Sequence, residues 1–324
     1  MQGRHLTITD REVIAKMLAE GESRTAIGGV LGFHRTSIGR ELVRNASEGD
    51  YFPSRAQAAG DQRRADSKLP WKMDLPGIGS YVLQGLEQYW SPQEIAGRMK
   101  REHPDDPSMR ISPPCIYAWI YRFGVAGSPW HTYLRRGHRR RRKHHGTREK
   151  RGRIVGRVGI EHRPAEVQDK SRFGDWESDT IQGAQRRAYL ATHVERKSQY
   201  LVMGKIADKR AATFNAGTLR AFARHPGLPC RTMTADNGKE FAAFGKLQRK
   251  LGLAVYFAEP YHSWRRGLNE NTNGLLRQFF PKGFDLRGAT HPYVAHVENL
   301  LNTRPRKSLG YRTPAEVLLG LPAP

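Results

Sequence analysis

Cysteine, acidic residues and long apolar runs are all scarce in this chain of 324 residues. The two cysteines, Cys115 and Cys230, exclude a disulfide framework, and neither belongs to a pair with metal-ligand spacing. No stretch approaches the roughly 20 consecutive apolar residues of a membrane span. Charged residues at Arg4, Asp10 and Arg11 interrupt the first dozen positions, so we predict no signal peptide. These absences predict a cytoplasmic protein that has no membrane partner.

The scarcity of acids leaves a large positive charge. Lysine and arginine number 55 against 31 aspartates and glutamates, which gives a net charge of +24 and a pI near 10.5. An excess of this size indicates an extended polyanionic partner, namely nucleic acid, rather than a small-molecule substrate. Solubility alone would be served by a smaller excess or by an acidic one. The length predicts two or three domains of roughly 100 to 200 residues each.

Three short helices are predicted over residues 7–45. Thr9 and Glu12 have the spacing of a capping box, a second helix begins near Ser23, and Gly32 supplies a tight turn before the third helix, residues 34–44. We predict an all-α helix-turn-helix DNA-binding domain over residues 1–60. The third helix would present basic and polar side chains to a major groove: Arg35, Ser37, Arg40, Glu41 and Arg44. An ordinary three-helix bundle with a solvated basic face is the alternative.

A second helix-turn-helix domain is predicted over residues 70–130, after an arginine-rich polar linker near residues 60–69. Ser91-Pro92-Gln93-Glu94 combines a serine cap, a proline at the first helical position and a glutamate three residues after the cap. Ser112-Pro113 begins a further helix that contains Trp119. The alternative is that Trp119 and its neighbouring tyrosines only form a core.

A basic linker is predicted over residues 131–160. Twelve lysines and arginines lie between Arg135 and Arg157 against a single acid, Glu149. This segment has too little apolar surface to fold alone, so we expect it to become ordered on DNA phosphates. A solvated tether is the alternative. The predicted DNA contacts are consecutive: Arg139, Arg140, Arg141, Arg142 and Lys143.

Strand and helix patterns alternate over residues 161–324. Strands are predicted at residues 176–183, 189–194, 200–206, 231–235 and 254–257, and helices at 211–224 and 240–251. Three consecutive strands followed by alternating helices and strands predict a mixed α/β sheet. This order is typical of a ribonuclease-H-like fold.

Three acids, Asp179, Asp236 and Glu270, are the candidate metal ligands of this region. Fifty-six residues separate the first two and 33 separate the last two, so only folding can bring them together. Carboxylates in a strongly basic protein suit two Mg²⁺ ions that activate a nucleophile and stabilise the leaving oxygen in phosphoryl transfer. Mn²⁺ accepts the same oxygen ligands. Asp175 and Glu177 are rivals to Asp179, because alternation puts all three on one strand face.

Each acid also has an ordinary structural interpretation. Asp236-Asn-Gly is by itself a turn signal, and Glu270 alone is a common helical residue. The joint pattern is far more specific than any one member.

Four segments resemble the insertion-sequence-thirty family of bacterial DDE transposases. They are Trp176-Glu-Ser-Asp, Thr234-Ala-Asp-Asn-Gly-Lys-Glu-Phe, the block from Pro260 to Gly283, and the tail Leu301-Asn-Thr-Arg-Pro-Arg-Lys. The resemblance implies an integrase-type core that cuts DNA at the terminal inverted repeats of a mobile element and joins the 3′-ends to target DNA. It carries the DDE roles to Asp179, Asp236 and Glu270. Because two DNA ends must be joined in concert, we expect a homodimer or larger homo-oligomer on DNA, associated with the bacterial nucleoid.

One departure from the family pattern is Asp175, which follows Gly174 where the family more often shows histidine. This substitution adds an acid near the site, so Asp175 keeps a claim to assist the metal. Polar residues around Glu270 are predicted to contact DNA: Arg265, Arg266, Asn269 and Asn273. Trp264 would stack on a base or pack, and the basic turn that begins at Arg304 would touch DNA.

Two other functions fit parts of the pattern. A sequence-specific DNA-binding regulator would keep the helix-turn-helix helices over an inactive core. A ribonuclease-H-like nuclease would cleave RNA–DNA hybrids without strand transfer and would not need two reading domains.

Overall fold

The computed structural model describes residues 4–47, 49–66, 71–124, 129–135, 154, 156–258 and 267–321. The chain divides into two compact units, Met1–Trp71 and Lys72–Pro324. Several predicted contact residues lie outside the described ranges: Arg139, Arg140, Arg141, Arg142, Lys143, Trp264, Arg265 and Arg266. Within those ranges, no helix combines the length and apolar character needed to cross a membrane.

The first unit is helical, as predicted. Its elements are α1 (Ile8–Ala19), α2 (Arg24–Leu31), α3 (Arg35–Asn45), the two-residue strands β1 (Ala46–Ser47) and β2 (Asp50–Tyr51), and α4 (Pro53–Asp66). Fully buried isoleucines from α1, α2 and α3 form its core: Ile14, Ile27 and Ile38. Gly32 ends α2 in the left-handed region at φ 69°, which turns the chain sharply into α3.

Two local expectations in this unit are wrong. The capping box of α1 uses Thr7 and Asp10 instead of Thr9 and Glu12, because Thr7 N–H donates to Asp10 Oδ2 over 2.8 Å. Arg4 pairs with the same carboxylate and stabilises the cap. The expected linker is helical up to residue 66, since α4 packs on α1 and places Gln57 against Arg11.

The second unit begins with a helical group whose elements are α5 (Ile78–Glu87), α6 (Pro92–Glu102) and α7 (Pro113–Gly124). The capping box at Ser91 and Glu94 is confirmed. Trp119 packs against the core of this group, whereas Tyr117 and Tyr121 are stacked with ring centroids 6.3 Å apart and are exposed. Buried aliphatic side chains of all three helices form that core: Ile78, Val82, Leu86, Ile95, Met99, Ile116 and Ile120.

A five-stranded mixed sheet lies at the centre of the second unit. Its strands are β3 (Asp175–Gln182), β4 (Tyr189–Glu195), β5 (Leu201–Ile206), β6 (Thr232–Ala235) and β7 (Ala254–Phe257), in the order β5-β4-β3-β6-β7. The pairs β3–β4 and β4–β5 are antiparallel, and β6 and β7 join in parallel. The predicted mixed α/β fold is therefore confirmed, with strand bounds within two residues of the prediction.

Helices cover both faces of this sheet. A short helix α8 (Ala165–Asp169) precedes the sheet; α9 (Ala211–Ala223) and α10 (Phe244–Leu251) lie in the crossovers; α11 (Gly267–Leu276), α12 (His291–Asn302) and α13 (Pro314–Leu319) follow. Alternation along β4 puts Tyr189 and Ala191 in the cluster of α9 and α10, and Leu190 and Val194 in that of α11 and α12. The helix predicted from residue 240 begins only at Phe244, because residues 239–241 form a 3₁₀ turn.

The helical group is anchored on the core by buried charges. Arg98 is 1% exposed and donates from Nη1 and Nη2 to Glu316 over 2.8 and 2.5 Å. Arg304 Nε donates to Glu94 over 2.9 Å. The basic turn was expected to touch DNA, but Arg304 and Arg306 are both buried, so this expectation is wrong for these two residues. Their guanidinium groups hold the tail against the helical group and α12.

Candidate active site and DNA interface

Asp179 lies in β3 and faces α11. Its side chain is half-buried. Oδ1 accepts the Thr180 N–H over 2.8 Å, and Oδ2 accepts Asn273 Nδ2 over 3.1 Å. A direct hydrogen bond therefore joins the first predicted acid to the helix that carries the third.

Asp236 follows β6 immediately, at the carboxyl end of that strand. The parallel register pairs Trp176 with Met233 and Glu177 with Thr234. The pairing ends there, so Asp179 and Asp236 each lie two residues beyond the last pair, on adjacent strands that run in the same direction. Gly238 N–H donates to Asp236 Oδ1 over 2.9 Å, a local side-chain to backbone hydrogen bond that orients the carboxylate. Gly238 itself has φ −66°, so the left-handed Asn-Gly hairpin turn is not formed.

Glu270 lies in the first turn of α11, and its side chain is exposed. Asn273, which contacts Asp179, lies three residues further along the same helix face. This places Glu270 one turn from the Asp179 contact. In the part of the chain that the structure describes, no group of three or more His, Cys, Asp or Glu residues is arranged to hold a metal ion. The helix of the third acid thus contacts Asp179, but the described acids do not form a ligand set around one point.

The two rival acids of β3 have other partners. Asp175 is 1% exposed, accepts Arg172 Nε over 3.0 Å and accepts Thr232 Oγ1 over 2.8 Å. It lies four residues before Asp179, or about 13 Å along the strand. Glu177 is equally buried and pairs with Arg196. Both carboxylates are buried and already paired with an arginine, which favours Asp179 as the acid of the site.

Glu240 is an acid near the site to which sequence reasoning gave no role. It is 6% exposed, and its Oε1 accepts Thr180 Oγ1 over 3.0 Å and Lys209 Nζ over 2.9 Å. A methyl group at Gly238 would lie 2.5 Å from Glu240 Oε2 and 2.9 Å from Asp236 Oδ1, so the two carboxylates are neighbours. Glu240 therefore ties the Asp236 turn to β3. The only sequence signal was an acid four residues after Asp236.

The two asparagines predicted to contact DNA lie at the interface of α11 with the sheet. Asn269 is 1% exposed, and its Nδ2 donates to the Glu177 carbonyl over 3.0 Å. Asn273 is half-buried and contacts Asp179. Contact with DNA stays a prediction for both, and in this structure both fasten the helix.

The first unit presents a basic surface on α3. Arg35, Arg40 and Arg44 are exposed and Ser37 is half-buried, as a reading helix requires. Glu41 was expected on the same surface, but it is buried and accepts Arg11 Nε over 2.8 Å, so that expectation is wrong. A shallow depression beside α3 adds Arg24, which the sequence did not single out. Its lining consists of Arg24, Thr36, Gly39, Arg40, Val43 and Arg44.

Comparison with known proteins agrees with both parts of this arrangement. Residues 2–45 match the family model described as a helix-turn-helix domain, and residues 169–263 match the integrase core domain. The transposase of insertion sequence element IS4351 from Bacteroides fragilis is 38% identical over 97% of this chain and 95% of its own length. The chain belongs to the insertion-sequence-thirty family of transposases.

Two further relatives span the same regions. The transposase of IS1086 from Cupriavidus metallidurans is 36% identical over 93% of this chain and 90% of its own length. The transposase of IS30A from Escherichia coli is 34% identical over 97% and 83%. The catalytic core domain of BIV integrase aligns at 22% identity over 45% of this chain and 93% of its own, with a TM-score of 0.32.

This family membership settles the class of activity. The protein is a DNA transposase, a polynucleotidyl transferase of the DDE class that combines a helix-turn-helix domain with an integrase-type core. The insertion-sequence-thirty transposase therefore binds DNA.

Proposed function

We propose that this transposase binds the terminal inverted repeats of its element and uses Asp179, Asp236 and Glu270 to cleave DNA strands and join them to target DNA. The observation that carries the assignment is the hydrogen bond from Asn273 to Asp179, which fixes the helix of Glu270 beside the strand of the first acid. The register between β3 and β6 supplies the second acid at the same end of the sheet.

The donor set of these acids fits a hard divalent cation. Carboxylate oxygens are the ligands that Mg²⁺ prefers, and Mn²⁺ accepts them as well. Two bound ions would supply activation of water or of a 3′-hydroxyl, and stabilisation of the leaving oxygen. Glu270 is exposed on α11, so its side chain could turn toward Asp179 and Asp236 once bound cations offset the repulsion among the three carboxylates.

The residues of the chain hold the acids in orientation. Asn273 fixes one oxygen of Asp179, and the Gly238 N–H fixes one oxygen of Asp236. Glu240 keeps the turn of Asp236 close to β3 through Thr180. Preorganised carboxylates need less rearrangement when the DNA strand arrives, which favours the in-line geometry of phosphoryl transfer.

DNA recognition is proposed to be shared among several parts of the chain. Arg35, Ser37, Arg40 and Arg44 would read the repeat from α3 in the domain at residues 1–60. The domain at residues 70–130 would act as a second helix-turn-helix reader that exposes Tyr117 and Tyr121. Residues 131–160 would add salt-sensitive affinity for phosphates, and residues 161–324 would form the catalytic domain.

Two DNA ends must be joined in concert, so we propose a homodimer or larger homo-oligomer on DNA. The place of action would be the nucleoid of the bacterial cytoplasm. Both statements follow from the proposed reaction and the charge of +24.

Cleavage and joining of a labelled duplex that carries the inverted repeat, with Mg²⁺, tests the assignment. Glu270→Gln should abolish both reactions and leave repeat binding unchanged, because it alters a metal ligand and no reading helix. Glu87→Gln, at an exposed glutamate of α5, is the matched control and should keep full activity. Retained cleavage in Glu270→Gln would refute the site.

The competing functions give different results in the same assay. Tight repeat binding without cleavage by the native protein would indicate a regulator. Cleavage of an RNA–DNA hybrid without strand joining would indicate a nuclease.

A further inference from the structure

Thr192 occupies the middle of β4, directly opposite Asp179 in the antiparallel register. Its side chain is fully buried. Its Oγ1 lies 3.3 Å from the Asp179 carbonyl oxygen, 3.2 Å from Asn269 Oδ1 and 3.1 Å from Asn273 Oδ1. A hydroxyl has one proton to donate, so these three acceptors share a single donor.

The side-chain nitrogens of Asn269 and Asn273 set the orientation of the two amide groups. Asn269 Nδ2 donates to the Glu177 carbonyl over 3.0 Å, and Asn273 Nδ2 donates to Asp179 Oδ2 over 3.1 Å. Both amide oxygens therefore point toward Thr192. The backbone N–H of Asn269 also donates to Glu177 Oε2 over 3.1 Å, which satisfies a donor in the first turn of α11.

The spacing of these contacts fixes one register between helix and strand. Two residues along a strand cover about 6.6 Å, and four residues along a helix cover about 6 Å. Asn269 therefore stands beside Glu177 while Asn273 stands beside Asp179, and α11 runs along β3 in the same direction. Glu270 lies between the two asparagines on this helix.

We propose that Thr192 is a positioning residue for the third acid, whose hydroxyl sets the height and rotation of α11 on the sheet. The proposal rests on the roles given above to Asp179 and Glu270. A rotation of α11 by one residue would carry Glu270 through about 100°, away from Asp179. Misplacement of a catalytic group by about 1 Å is enough to cost on the order of a hundredfold in rate.

Thr192→Val and Thr192→Ser form the central comparison. Valine keeps the shape and removes the hydroxyl, which takes away the one donor that the amide oxygens of Asn269 and Asn273 share. Serine keeps the hydroxyl. We expect Thr192→Val to reduce the rate of repeat cleavage about tenfold or more and to raise the Mg²⁺ concentration needed for half-maximal cleavage. Thr192→Ser should stay within about twofold of the native protein.

Thr218→Val is the matched control for a merely structural effect. Thr218 is also fully buried, and its Oγ1 lies 3.2 Å from His193 Nε2, on the face of the sheet that α9 covers. This variant should lower the melting temperature without changing the Mg²⁺ requirement. An equal Mg²⁺ requirement in Thr192→Val and the native protein would overturn the proposal.

Amide hydrogen exchange gives a readout that does not depend on activity. Thr192→Val should accelerate exchange over residues 267–276, and Thr218→Val should leave that segment unchanged. Asn269→Ala removes an acceptor of the same hydroxyl and should reproduce the acceleration. A variant that combines Thr192→Val with Asn269→Ala should exchange little faster than either single variant.

The two kinds of failure are distinguishable. If the native protein cleaves no repeat, the proposed function fails while exchange still tests the helix register. Unchanged exchange over residues 267–276 in Thr192→Val would overturn the positioning role even if cleavage by the native protein is normal.

Discussion

Glu316→Ala should show how firmly the helical group of α5, α6 and α7 is anchored on the catalytic core. Arg98 is 1% exposed and loses two charge-assisted hydrogen bonds, 2.8 and 2.5 Å long, when this carboxylate is removed. Breaking a buried ion pair from one side costs about 3–5 kcal/mol, because a charge is left without its partner. Glu102 still pairs with Arg98 over 2.5 Å, so we expect the lower limit, about 3 kcal/mol.

Thermal unfolding followed by tryptophan fluorescence measures this loss. The melting temperature of a unit of this size shifts by about 2–4 °C for each kcal/mol of stability lost, so we expect it to fall by about 6–12 °C. Thr313→Ala removes the cap that Glu316 shares and should cost only about 1 kcal/mol. Arg287→Ala breaks an exposed ion pair and should leave the melting temperature nearly unchanged. A shift below about 2 °C for Glu316→Ala would refute the anchoring role.

Two further predictions concern acid stability and sequence reading. Complete burial lowers the pKa of His193 from 6.5 to about 3. As the pH falls, the unfolded chain therefore binds this proton before the folded protein does. The free energy of unfolding keeps its full value above about pH 6.5 and falls as the pH drops toward 3, by about 2 kcal/mol at pH 5. Denaturant unfolding at pH 7 and pH 5 should show a smaller difference in His193→Gln, and an equal difference would exclude His193 as the titrating group. Arg40→Ala should weaken binding to the repeat more than binding to random DNA, and the difference should be about 1–3 kcal/mol. Fluorescence anisotropy with both duplexes measures the two affinities. Equal losses of affinity would mean that Arg40 contacts only phosphates.

Much of the architecture was predictable because it depends on local patterns. The alternation that begins at Trp176 predicts β3, and the serine, proline and glutamate from Ser91 predict the start of α6. Gly32 likewise predicts the turn between α2 and α3, because few other residues adopt its left-handed conformation. The order of strands and helices then favours one mixed sheet, which the structure confirms.

Partners across long sequence separations were not predictable, because residue type alone does not say which charge faces which. Glu41 and Arg304 lie in segments whose sequence is typical of a DNA-binding surface. Both side chains are nevertheless buried and form ion pairs with residues of other elements. Glu240 was visible in the sequence as an acid after Asp236, and only the packing shows that it contacts Thr180 and Lys209.

The sequence by itself determined the class of this protein: a basic chain with a helix-turn-helix pattern, an alternating α/β region and three acids in the order of a DDE transposase. Only the tertiary structure decided how those acids are held. The parallel pairing of β3 and β6 puts Asp179 and Asp236 on adjacent strands, and Thr192 lies within hydrogen-bond distance of Asn269 and Asn273 on α11. Neighbours of this kind are 13 to 94 residues apart in the chain, so folding alone brings them together.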